Sequence, residues 1–135
     1  MPSFQFSVGG KPAPQGSKNA YNRGGRIVLV ESSKDLPEYR SWVTACASDE
    51  AAAQEWVKPS RDTPMEVIVT FVLRKPKSVK REHPTTPPDL DKLVRAVLDG
   101  ITQADNVWHD DSQVTRIMAY KMYGNAGLTT VMVSY

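Results

Sequence analysis

Residues 87–114 read Pro87-Pro88-Asp89-Leu90-Asp91-Lys92-Leu93-Val94-Arg95-Ala96-Val97-Leu98-Asp99-Gly100-Ile101-Thr102-Gln103-Ala104-Asp105-Asn106-Val107-Trp108-His109-Asp110-Asp111-Ser112-Gln113-Val114. Leu90, Leu93, Val94, Val97, Leu98 and Ile101 recur three and four residues apart, the period of one buried helix face. Two prolines cannot continue a helix from upstream, so the helix is predicted from near Asp89 to near Thr102. Asp91, Arg95 and Asp99 then share a polar stripe, in which Asp99 is expected to pair with Arg95 four residues earlier.

The same window gathers acid. Six of the chain's 15 acidic residues fall between Asp89 and Asp111, offset only by Lys92 and Arg95, so the window carries −4 and the rest +6. Two carboxylates about 4 Å apart repel by roughly 4 kcal/mol at an effective dielectric near 20, so a gathering of them calls for a cation or a proton. Asp at a helix start also has a purely structural use, capping free N–H groups at the positive end of the dipole. The second cluster, Asp110-Asp111, shifts the balance. It follows an aromatic loop and precedes a strand-like segment, and a strand returning along the helix is expected to bring Asp89, Asp91 and one of Asp110 or Asp111 together. Carboxylates are hard oxygen ligands that suit Mg²⁺ or Mn²⁺. With one Cys and two His, the chain has no zinc-type set.

Taken together, Asp89-Leu90-Asp91, the basic Arg95, Asp99-Gly100-Ile101-Thr102, Trp108 and Asp110-Asp111-Ser112-Gln113-Val114 closely resemble the signature of the RusA family of Holliday junction resolvases. The resemblance implies a small homodimeric, Mg²⁺-dependent endonuclease, with Mn²⁺ as a substitute ion, that nicks four-way DNA junctions symmetrically in bacterial or phage recombination and repair. The family's essential carboxylates fall on Asp89, Asp91 and Asp111, which the resemblance makes both catalytic and metal-binding; Asp110 is held as the reserve ligand. The family's catalytic lysine falls on Arg95, a departure that keeps the positive charge but gives up a proton donor, because guanidinium stays charged. Lys92 stands where the family often has Asn and is expected to supply the ammonium that Arg95 lacks. Two rival readings are a nuclease for flaps or forks and a junction-binding protein without catalysis.

The rest of the chain is read around that centre. At 135 residues, 40% apolar and 24% charged, it is expected to fold as one domain, 1–135, of the α+β class, with a mixed sheet and two main helices. A single Cys and the lack of a membrane-length apolar run or signal peptide predict a reducing cytoplasm and no membrane partner. Phe4, Phe6 and Val8 alternate with polar residues, the pattern of a half-buried strand. Residues 11–26 read as a basic loop rich in Gly, Pro and Asn, with Ile27–Val30 a short strand completing a hairpin. Ser32, Ser33 or Asp35 is expected to cap a helix with Pro37 in its first turn and Tyr39, Trp42, Val43, Cys46, Ala47 and Ala51 along its apolar stripe, Cys46 as a small core residue. Met65 to Leu73 reads as a central strand covered on both faces. In residues 74–81 five of eight are basic. Lys75, Lys77, Lys80 and Arg81 from that run, Lys18, Arg23 and Arg26 from the earlier loop, and Lys92 and Lys121 are the expected DNA contacts. His83 and His109 read as exposed loop residues. Residues 114–123 and 128–135 read as two strands joined by a short turn.

Overall fold

The structure, a computed structural model, describes residues 1–16, 18–23, 26–31 and 35–135, with side chains described for 1–16 and 35–135. Strand β1 (Ser3–Gly9) buries Phe4, Phe6 and Val8 and exposes the residues between, as its alternation predicts. Its partner is far away in sequence. β1 pairs antiparallel with the final strand, β6 (Leu128–Ser134), in the register Phe4 to Val133 and Phe6 to Val131, so four buried side chains meet on one face. The strand expected over residues 27–30 does form and completes a hairpin, but not with β1. Those residues lie in β3 (Arg26–Glu31), which pairs antiparallel with β2 (Lys18–Arg23) as a separate two-stranded sheet. Segment 18–23, read as loop, lacks apolar alternation, and it is its partner strand that makes it extended. The side chains of Lys18, Arg23 and Arg26, and residues Ser32 and Ser33, lie outside what the structure describes.

The main sheet has the order β1-β6-β4-β5. Strand β4 (Met65–Arg74) is inside it, antiparallel to β6 and parallel to β5 (Val114–Gly124), which makes the sheet mixed. Met65, Val67, Val69 and Phe71 point to the buried face, while Glu66, Ile68, Thr70 and Val72 on the opposite face are only half-buried. The continuous apolar run is thus central, but covered fully on one face only.

Helix α1 (Leu36–Ala53) carries Pro37 in its first turn and buries Leu36, Tyr39, Val43, Ala47 and Ala51. Trp42, placed on that stripe by sequence, is 49% exposed, because the buried line runs at 39, 43, 47 and 51 and leaves 42 at its edge. Asp35 occupies the capping position without a side-chain capping bond. The hydroxyls of Tyr39 and Thr129 hydrogen-bond in the core, and burial pushes the Tyr39 phenol well above its ordinary pKa.

Helix α2 (Leu90–Thr102) follows the proline segment and buries Leu93, Ala96, Val97, Gly100 and Ile101. It packs on α1 at Gly100, whose carbonyl accepts a 2.6 Å bond from the Thr44 hydroxyl. Because β4 and β5 are parallel neighbours, the chain has to cross over between them, and α2 lies on that crossover. Among the described residues no helix is long and apolar enough to cross a membrane.

Candidate active site

Asp89 sits at the entrance of α2 with extended backbone (φ −69°, ψ 138°), yet its carboxylate makes no capping bond. The capping hydrogen bond is therefore not made; its Oδ2 lies 3.9 Å from the Lys92 Nζ instead. Asp91 and Arg95 are exposed, and neither has an ion-pair partner among the described residues. Asp99 does not bond Arg95 as the spacing predicts. Its Oδ2 is 4.0 Å from Nη1 of Arg40, which reaches across from α1.

The second acidic cluster is held by a small clamp. The Gln113 side chain is buried; its Oε1 accepts from the backbone N–H of His109 (2.8 Å) and Asp110 (3.2 Å), and its Nε2 donates to the carbonyls of Ser60 (2.9 Å) and Thr63 (3.2 Å). Asp110 caps the short 3₁₀ turn Asp111–Gln113 by accepting from Ser112 N–H, and the Ser112 hydroxyl first and that N–H second hold its carboxyl below the usual range. Upstream, the buried Trp108 donates from Nε1 to the Thr102 hydroxyl at 2.9 Å, pinning the loop to the end of α2. Asp111 is what this clamp presents. Desolvation first, then the charges of Asp110 and Asp99, hold its carboxyl above the ordinary value, while Arg95 pulls it down. His109 is held below its ordinary value, first by desolvation and then by Lys58 and Arg61.

These neighbours fix the direction of the return. The 13 residues of α2 rise about 20 Å, and the strand from Val114 to Lys121 spans about 23 Å. An antiparallel return of that length puts the strand's start beside the later turns of α2 and Lys121 beside its beginning. Accordingly the charges of Arg95 and Asp99 act on Asp111, and the Lys121 ammonium donates to the carbonyls of Thr86 (3.0 Å) and Pro88 (2.9 Å), just before Asp89. The expected convergence of Asp89, Asp91 and Asp111 is not built within the single chain: among the described residues no three His, Cys, Asp or Glu side chains group as a metal-holding set. The donor type still fits a hard divalent cation, since Mg²⁺ is commonly held by one or two carboxylates with phosphate and water oxygens completing its shell.

Around this acidic line the surface is basic. Lys75 Nζ and Arg81 Cζ each lie 5.8 Å from the Tyr123 ring centroid, and Arg81 also donates to the Thr86 hydroxyl at 3.1 Å. Lys77 and Lys80 are exposed. Arg40, Lys58, Arg61 and Tyr123 were not singled out from sequence, and Gln113 entered only as part of the family signature, with no role of its own. The one available signal was the Gln three residues after Asp110, the spacing of a capping box. Lys121→Met is expected to loosen the Pro87–Asp89 entrance, raising hydrogen exchange at Leu93 and Val94 with little change elsewhere, whereas Lys121→Arg keeps most of the protection; equal exchange in both variants and the wild type counts against this anchoring.

A small α+β domain whose crossover helix sets carboxylates among basic loops has the make-up of a phosphodiester-processing protein, and comparison with known proteins narrows it. Residues 9–134 match the family described as endodeoxyribonuclease RusA, and the chain belongs to that family. It is also similar to the uncharacterized protein YqaN of Bacillus subtilis (strain 168), 27% identical over 140 residues that cover 98% of this chain and 96% of YqaN.

Proposed function

We propose that this protein resolves four-way DNA junctions by divalent-metal-dependent hydrolysis, acting as a homodimer that makes paired symmetric nicks. The observation that carries the reading is Asp111, a carboxyl held up by burial and then by neighbouring acids, pulled down by Arg95, and presented on a clamped turn after the helix that begins with Asp89 and Asp91. Asp89, Asp91 and Asp111 are the residues that would hold Mg²⁺ or Mn²⁺, singly or in pairs, together with phosphate and water oxygens. When bound, such an ion supplies Lewis acidity to the scissile phosphate and lowers the pKa of an attacking water. Arg95 offsets charge on the phosphate through a guanidinium that stays protonated, so its role is electrostatic and the leaving oxygen takes its proton from solvent. Lys92, paired with Asp89, moderates the charge at the helix entrance. Lys75, Lys77, Lys80 and Arg81 attract the DNA backbone.

The homodimer is supported by the sheet face that the helices leave open. Met118, Tyr120, Met122 and Leu128 are 38–47% exposed there. By register Met118, Tyr120 and Met122 adjoin Ile68, Thr70 and Val72 of β4, making one continuous, mostly apolar surface of the kind that marks an interface. A second copy seated on it leaves each helix side free, and a two-fold dimer matches the approximate two-fold symmetry of a junction. Tyr120→Asp is expected to weaken the dimer about tenfold or more, read by sedimentation at micromolar concentration; an unchanged dimer moves the interface elsewhere.

The reading is tested with a synthetic four-way junction, a fork and a linear duplex, each offered in Mg²⁺ and in EDTA. Junction cutting in Mg²⁺ alone is expected, and Asp89→Asn should slow it by about a hundredfold or more while leaving junction affinity in EDTA unchanged. Preferential cutting of the fork supports the flap or fork reading, and tight junction binding without cutting under any divalent ion supports the non-catalytic one.

A further inference from the structure

Between the basic segment after β4, the proline approach to α2 and the β5–β6 turn lies a cavity of about 540 Å³, within the roughly 300–1,000 Å³ of sites that take small ligands. Pro84, Pro87, Pro88 and Tyr123 give it apolar walls, Arg74 and Arg81 give it a positive rim, and among the described residues no Asp or Glu lines it. The Arg81 bond to the Thr86 hydroxyl ties the rim to the proline wall. Pro88 leads directly into Asp89, and its carbonyl is held by Lys121, so the cavity wall and the candidate active site share one anchored stretch of backbone.

Apolar walls under a cationic rim fit a flat body that carries an anion. Single-stranded nucleic acid offers that combination, with bases that pack on aromatic rings and phosphates that seek Arg. Taking a base out of its stack costs least where pairing is already disturbed, as at a branch point. We propose that this cavity receives one unstacked nucleotide of the DNA strand beside the branch point, its base against Tyr123 and the prolines and its phosphate against Arg74 and Arg81. The proposal rests on the junction-cleaving reading and adds to it a source of structure selectivity, since a fully stacked duplex has no such nucleotide to give. It also sets the neighbouring phosphate close to the start of α2.

The test crosses protein variants with substrate variants. Four-way junctions carrying a single abasic site, moved one position at a time through the nucleotides flanking the branch point, are titrated in EDTA by fluorescence anisotropy against wild type, Tyr123→Ala and Tyr123→Phe. At one position the abasic site is expected to weaken wild-type and Tyr123→Phe binding about tenfold but to leave Tyr123→Ala binding nearly unchanged, because the missing base and the missing ring remove the same contact. Thermal melts of the three proteins check that Tyr123→Ala is folded; if it is not, Arg81→Ala and Arg74→Ala replace it, with the loss expected at the phosphate beside the same position. Junction binding with additive losses at every position overturns the cavity's role and leaves the nuclease reading intact. Absence of junction binding by the wild type removes both.

Discussion

Asp111→Asn should lose about a hundredfold or more of junction cutting while its melting temperature stays level with or rises above that of the wild type. The two halves of that expectation come from one cause. Burial and the charges of Asp110 and Asp99 raise the folded-state pKa of Asp111 above its unfolded value. A raised carboxyl binds more protons in the folded chain than in the unfolded one. Its ionisation therefore takes stability away as pH climbs from its unfolded pKa through its folded one, and the loss is complete above both. At neutral pH the native protein carries this strain in full, and Asn relieves it without changing the side chain's size. Below the unfolded pKa the two proteins should melt alike, since both side chains are then neutral. A carboxylate kept in a place that costs stability is the mark of a functional group. Arg95→Gln sharpens the test, because among the described residues Arg95 is the group that pulls Asp111 down: the acid limb of the cutting rate should move to higher pH. A melting temperature that falls in Asp111→Asn, with cutting retained, would make Asp111 a structural residue of the turn and sink its role in chemistry.

How much of this was legible in advance depended on the range of the interaction that decides each feature. Local period was readable: Phe4, Phe6 and Val8 in β1, the apolar face of α2, and the run through β4 all lie where their spacing puts them. The fold class followed from the order of those elements, but the pairing of β1 with β6 joins opposite ends of the chain, and no local signal prefers Val131 and Val133 over Ile27–Val30 as the partner. The same limit applies at the site. The acidic residues could be named from their composition and spacing, whereas their mutual placement follows from which way the strand returns along the helix. That direction brings Lys121, not Asp111, to the entrance of α2. Arg40 meets Asp99 because α1 crosses α2 at that level, a fact of packing that an i, i+4 rule along one helix cannot supply. Gln113 is the clearest gap: a polar side chain in a polar stretch reads as surface, yet it is buried with four hydrogen bonds.

Gly100→Ala should destabilise the fold by about 1–2 kcal/mol and slow cutting along with it. Helix propensity alone predicts the opposite, since Ala is favoured over Gly by about 1 kcal/mol inside a helix. Contact decides the sign. A Cβ at position 100 would lie 2.7 Å from Val43 Cγ1, 2.9 Å from Val43 Cβ and 3.2 Å from the Arg40 carbonyl oxygen, and Val43 is fully buried. Overpacking of this kind costs about 1–3 kcal/mol, and here it acts as a wedge between α1 and α2. The wedge sits beside the Thr44 bond to the Gly100 carbonyl and the Arg40–Asp99 contact, so it moves the acid whose charge acts on Asp111. Adding Val43→Ala separates the two effects. That change alone opens a cavity and destabilises, but in the Gly100→Ala background it makes room for the new methyl, so the double variant should be more stable than the sum of the single losses predicts. Strict additivity, or a Gly100→Ala protein that melts above the wild type, would mean that the helices do not approach closely at Gly100 and that the site does not depend on their spacing.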